Sequence, residues 1–107
     1  MATITRGNRD ELVERVKRAL DEYETHHSGA VANLYRQNSG AVRIRIIDGS
    51  FSGQSKGSRH DHAWNFIADR LNDDDIQEIS LLLLLAPGEQ ATSFMNAEFD
   101  DPVPSRI

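Results

Sequence analysis

Residues 79–88 read Ile-Ser-Leu-Leu-Leu-Leu-Leu-Ala-Pro-Gly, and the conformation of this run decides the fold. Leucine favours helices, yet the run is short, unbroken and closed by Pro87-Gly88. Such a segment is either a strand buried on both faces or a turn of buried helix. The strand reading is preferred because two alternating segments upstream need a third partner. Val42, Ile44 and Ile46 alternate with Arg43 and Arg45; before them, Val31, Asn33 and Tyr35 face one way and Ala32, Leu34 and Arg36 the other. Asn38-Ser39-Gly40 joins the two segments, and alternating segments linked by a short polar loop with glycine predict a β-hairpin.

Helices flank these strands. Leu12, Val13, Val16, Ala19, Leu20 and Tyr23 recur at helical spacing, with Glu11, Glu14, Arg15 and Arg18 on the opposite face. This is an amphipathic helix, with Asn8 as its expected start and an end near residues 27–29. A second helix is expected from a cap at Ser58, with a buried stripe of Ala63, Trp64, Phe66, Ile67 and Leu71, and with Asn72 to Asp75 as its stop. Residues 89–95 suit a short third helix. The predicted fold is α/β (α+β) in the order α-β-β-α-β(-α), with a three-stranded mixed sheet and helices on one face. A helix between the second and third strands permits a right-handed crossover and makes those strands parallel. Residues 1–9 read as a flexible arm, 10–95 as a single domain and 96–107 as an acidic tail.

The 107 residues are 38% apolar and 27% charged, a globular balance with enough apolar surface for one core. There is no cysteine, which excludes a disulfide framework and a cysteine nucleophile and suits a reducing compartment. No signal-like or membrane-length apolar segment is visible, so a cytoplasmic location is expected. A net charge of −5 disfavours phosphate-rich partners, because nucleic-acid affinity comes largely from neutralising phosphates.

At Phe51-Ser52-Gly53-Gln54-Ser55, followed by Arg59-His60 and an aromatic at Trp64, the chain resembles the BolA-like family. In that family phenylalanine, glycine and serine at alternate positions lead into a helix opening with arginine and histidine. The resemblance spans roughly residues 42–89 and implies a KH type II-like fold. It also implies a protein-binding role in partnership with a monothiol glutaredoxin, with the histidine, here His60, ligating a shared iron–sulfur cluster. Phe51, Gly53, Ser55, Arg59 and His60 are the partner-binding residues it implies. The family's second ligand, a cysteine or histidine between the first two strands, has no counterpart in Gln37-Asn38-Ser39-Gly40, and Asp61 stands where a basic residue usually follows the histidine. The isolated protein is therefore expected to hold neither iron nor a cluster.

From the residues alone, His60 lies four and seven positions before Trp64 and Ile67, the place of a half-buried histidine bonded to the preceding loop. A zinc site joining His26, His27, His60 and His62 would need a tertiary approach that spacing does not supply. Gly53 and Gly57 are four apart, so the KH Gly-x-x-Gly clamp is not met. Arg43, Arg45, Lys56 and Arg59 could form a small basic patch, although solvated strand-face charges are commoner. Asp73, Asp74 and Asp75 lack calcium-loop spacing and read as solvated charge. No nucleophile motif surrounds Ser52 or Ser55. The expectation is a binding module and not an enzyme, the alternatives being a KH-like nucleic-acid-binding module or a scaffold that self-associates through its sheet edge.

Overall fold

Helix α1 (Glu11–His26) starts where the side chain of Asp10 accepts a hydrogen bond from the Val13 amide at 3.0 Å. Asp10 also pairs with Arg36 at 2.7 Å, which fixes the cap two residues beyond the expected Asn8. The structure, a computed structural model, describes residues 1–102. Strands β2 (Val31–Asn38) and β3 (Ala41–Ile47) form the predicted antiparallel hairpin, with Leu34 opposite Ile44. After a 3-10 turn at Gly49–Phe51 come α2 (Lys56–Ala68), short α3 (Asp73–Gln77) and β4 (Ile79–Leu85). The leucine run is a strand, parallel to β3 as the crossover argument requires.

The core lies between this sheet and α1 and α2. Leu12, Val13, Val16, Leu20 and Tyr23 of α1 meet Ala32, Leu34, Val42, Ile44 and Ile46 of the sheet, and Ala63 and Ile67 of α2 close the layer. The period-2 pattern of β3 and the helical stripe of α1 thus bury one continuous apolar surface.

Other features of the fold differ from the sequence reading. First, among the described residues the sheet has four strands, with β2, β3 and β4 following in that order from one extra strand at the edge. The extra strand, β1 (Thr3–Ile4), pairs parallel with β2, so residues 1–9 are not a free arm. Ala2 is buried and its amide donates to Asp21 at 2.6 Å. Gly7 has a positive φ, and a Cβ there would lie 2.5 Å from the Arg36 carbonyl oxygen, so the segment passes against β2 where only glycine fits. Two residues of strand give too little periodicity for recognition in sequence.

Second, helices cover both faces of the sheet. Helix α4 (Phe94–Asp100), preceded by a 3-10 turn at Glu89–Thr92, packs on the face opposite α1. Phe99 packs against Tyr35 with the rings tilted by 59° and their centroids 4.8 Å apart, and the Arg45 guanidinium lies over the Phe99 ring, 4.6 Å from its centroid. Arg45 donates to Asn33, Asn96 and Asp100, and Arg43 to Tyr35 and Glu98. Residues 96–100 therefore belong to the fold; residues 103–107 of the expected tail lie outside the described residues.

Third, α2 begins earlier than expected. Ser55, not Ser58, caps it, its hydroxyl accepting from the Ser58 amide at 3.1 Å. Fourth, Asp73 to Asp75 do more than stop a helix. Asn72 caps α3, and Asp75 is buried in a two-point pair with Arg15 of α1, 2.8 Å at each contact. Both ends of that pair lie in segments 60 residues apart, so its partner could not be read locally.

Candidate functional site

Among the described residues strand β4 has one neighbour, β3, and its other side is an open edge. This is why the leucines are not buried on both faces: Leu81, Leu82, Leu83 and Leu84 are all partly exposed, and only Leu85 is buried. Leu82 and Leu84 stand beside Ile44 and Ile46 and pack on the core. Leu81 and Leu83 stand beside Arg43 and Arg45 on the α4 face.

Backbone alternation fixes which groups face outward. The Asp48 amide of the β3 side donates to the Leu85 carbonyl at 2.9 Å, so Leu85, Leu83 and Leu81 direct their backbone groups at β3. Leu82 and Leu84 direct theirs to the open side. There the Leu84 carbonyl is already taken, accepting from Arg59 Nη1 at 3.2 Å. At the opposite end Ser80 is an extra residue, because the register steps from Val42–Ile79 to Arg43–Leu81. A bulge at one end and an arginine at the other leave a short window centred on Leu82. Blunting an edge in this way limits indefinite strand addition.

A groove of about 1020 Å³ runs along this edge. Its floor is Leu81 to Leu85. One bank is the start of α2, with Ser55, Lys56, Arg59 and His60; the other is Thr92, Ser93, Phe94 and Met95. Phe94 is 82% exposed, unusual for a phenylalanine and the clearest sign that this bank lacks a covering partner.

The residues implied by the family resemblance divide between supporting and facing this groove. Phe51 is fully buried in the core, and Gly53 takes a φ of 78° in the turn that redirects the chain into α2. Ser55 caps α2 on the groove wall. Arg59 is buried over the Phe51 ring and grips Glu89 at 2.6 and 3.0 Å while also donating to the Gln54 carbonyl. Hydrogen bonds from Arg59, then from the Ala86 amide, hold the Glu89 carboxyl down at about 2. Arg59 is thus the bolt between α2, β4 and the turn after it, and its charge is spent inside the protein. His60 is exposed, not half-buried, and stacks nearly parallel on Trp64 with ring centroids 5.8 Å apart. Its ring stands on the rim of the groove.

The resemblance did not mark Leu81–Leu85, Phe94 or Met95 as site residues. Phe94-Met95 beside a polar segment was the one available signal, and it was absorbed into the reading of a short helix and a tail.

The surroundings of His60 do not hold an iron–sulfur cluster unaided. The groove supplies no thiolate, and its one carboxylate, Glu89, is committed to Arg59. Among the described residues no group of three or more His, Cys, Asp or Glu side chains is arranged to hold a metal ion. The basic patch considered from sequence is likewise dispersed: Arg43 and Arg45 lie under α4 and Arg59 is paired, which leaves Lys56 alone at the rim. Among the described residues no helix is long and apolar enough to cross a membrane. Comparison with protein-family models, curated proteins and solved structures gave no match.

Proposed function

We propose that this chain is a cytoplasmic adaptor of the BolA-like kind that its 51–60 segment resembles, and that it binds a short extended apolar segment of a partner protein along the free edge of β4. One observation carries the reading. Ser55, Arg59 and His60, selected from sequence, and the uncovered leucines of β4, selected by the fold, line the same groove. An added strand would meet the outward amide and carbonyl of Leu82 and the amide of Leu84, and place alternate side chains against Leu81 and Leu83 or toward His60. Each hydrogen bond so formed contributes about 0.5–1.5 kcal/mol net, so the apolar contacts with Phe94 and Met95 must supply the rest. Lys56 at the rim favours a partner with an acid beside its apolar run.

The family resemblance names the partner as a monothiol glutaredoxin. In that complex the glutaredoxin supplies the thiolates of a shared cluster, and the exposed ring nitrogens of His60 are this chain's one contribution. The free edge also supports a second reading, in which two copies pair through β4 and the protein is a self-associating scaffold. The engagement of Arg43, Arg45 and Arg59 in ion pairs within the chain weighs against a nucleic-acid surface.

The test is to mix the protein with a cluster-loaded monothiol glutaredoxin and to compare wild type, His60→Ala and Phe94→Asp. Complex formation lost in Phe94→Asp supports docking in the groove. A change in visible absorbance lost in His60→Ala supports ligation. No complex with wild type rules out this partner, and a wild-type dimer abolished by Phe94→Asp favours the scaffold.

A further inference from the structure

On the opposite side of α2 from the groove, two histidines meet. The Nε2 atoms of His27, just after α1, and His62, on α2, are 2.8 Å apart, with the rings nearly perpendicular. His27 Nδ1 lies 2.8 Å from the Tyr23 carbonyl oxygen. A carbonyl can only accept, so Nδ1 carries the proton and the Nε2 lone pair of the neutral ring points away from α1 toward His62. The His27 ring is held in that orientation by stacking on Tyr23 at 3.9 Å and by an edge contact with Phe66 at 5.6 Å. Metal-binding histidines are commonly prepared in this way, with the far nitrogen tied to a backbone carbonyl and the near one left basic.

We propose that His27 and His62 form a two-nitrogen surface site for a divalent transition metal of tetragonal preference, Cu2+ above Ni2+ and Zn2+. Two nitrogens bound to one metal at about 2.0–2.1 Å lie roughly 2.9 Å apart in cis positions of a square plane, and roughly 3.4 Å apart in a tetrahedron. The observed separation of 2.8 Å matches the cis arrangement, and the two rings, which meet nearly head-on in the hydrogen bond, turn about their side-chain torsions to aim both lone pairs at one metal. In the metal-free protein, Nε2–H of His62 donates to His27. On binding, His62 carries its proton on Nδ1 instead, so both Nε2 lone pairs face the metal and no net proton need be released. His62 is exposed, which leaves the remaining coordination positions to water. A metal there ties the end of α1 to the middle of α2, and it stabilises the folded chain because the unfolded chain does not preserve the pair.

The experiment is calorimetric titration and thermal melting of the full chain with Cu2+, Ni2+, Zn2+ and Mg2+ in a non-coordinating buffer, for wild type, His62→Ala and His60→Ala. Wild type should bind one Cu2+ with a raised Tm, Ni2+ and Zn2+ more weakly and Mg2+ not at all. His62→Ala should weaken Cu2+ binding about tenfold or more, and His60→Ala should leave it unchanged. The frozen-solution spectrum of the Cu2+ complex should show nitrogen couplings that diminish in His62→Ala. Equal Cu2+ affinity in wild type and His62→Ala overturns the assignment, as does loss of the strongest site in His60→Ala.

Discussion

Phe94 and Phe99 lie on the same seven-residue helix, yet their replacement by alanine should have opposite consequences. Phe99 is 1% exposed, in contact with the Tyr35 ring and the Arg45 guanidinium, whereas Phe94 is 82% exposed. Truncating a buried phenylalanine costs about 3–5 kcal/mol. Helix α4 is far too short to persist undocked, and it is the last described element, so it can detach without unfolding the rest. The global loss for Phe99→Ala is therefore capped by the docking free energy of α4, and should fall between about 1 and 4 kcal/mol. Phe94→Ala should stay within about 0.5 kcal/mol of wild type. Urea denaturation followed by the fluorescence of Trp64, the only tryptophan, gives both numbers. Amide exchange over residues 96–101 then shows whether α4 has come away. A silent Phe99→Ala, or equal costs at the two positions, would refute the docked helix and the groove bank it builds.

Ile44→Ala, at a fully buried site on the central strand, should cost about 2–5 kcal/mol, and Leu83→Ala, on the open edge, less than about 2, both read by urea denaturation. Gly7→Ala should destabilise by more than about 1 kcal/mol, because the added Cβ collides with the Arg36 carbonyl and its φ of 79° is unfavourable for alanine; Tm and denaturation midpoints check it. Glu89 is held at about 2 against an ordinary 4.5. A depressed carboxylate stabilises the fold above its unfolded value, so this contribution is complete above about pH 4.5 and disappears as pH falls toward 2. The Tm of Glu89→Gln should consequently fall less steeply than that of wild type between pH 5 and pH 2. Asp10 and Asp75 are also lowered, by the Val13 amide and by Arg15 respectively, so some slope should remain.

What could be read in sequence was whatever repeats with a period. The stripe of α1, the alternation of β3 and the length of the leucine run between Asp75 and Pro87 gave the order and direction of the main strands. Contacts made at long range left no such trace. Nothing near Thr3 indicates pairing with Asn33, and nothing near Phe99 indicates Tyr35 beneath it. Arg43 and Arg45 read as outward-facing charge because their acceptors on α4, Asn96, Glu98 and Asp100, lie more than 50 residues away. The leucine run was correctly a strand and wrongly a covered one, since burial depends on sheet order and composition is silent on which strand lies at the edge. Of the motif, Arg59 proved to be an internal clamp and Phe51 a core residue. His60 alone keeps a ring free for a ligand.

A partner docking at the β4 edge, between the start of α2 and Phe94-Met95, is the proposal on which the functional reading stands or falls. Amide chemical-shift mapping of the isotopically labelled protein during titration with a monothiol glutaredoxin tests it most directly. The largest changes should fall on Ser55 to His60, Leu81 to Leu84 and Phe94-Met95, with the outward amides of Leu82 and Leu84 gaining protection from exchange. Changes centred on α1, or a saturated complex that leaves the amides of β4 unmoved, would contradict it.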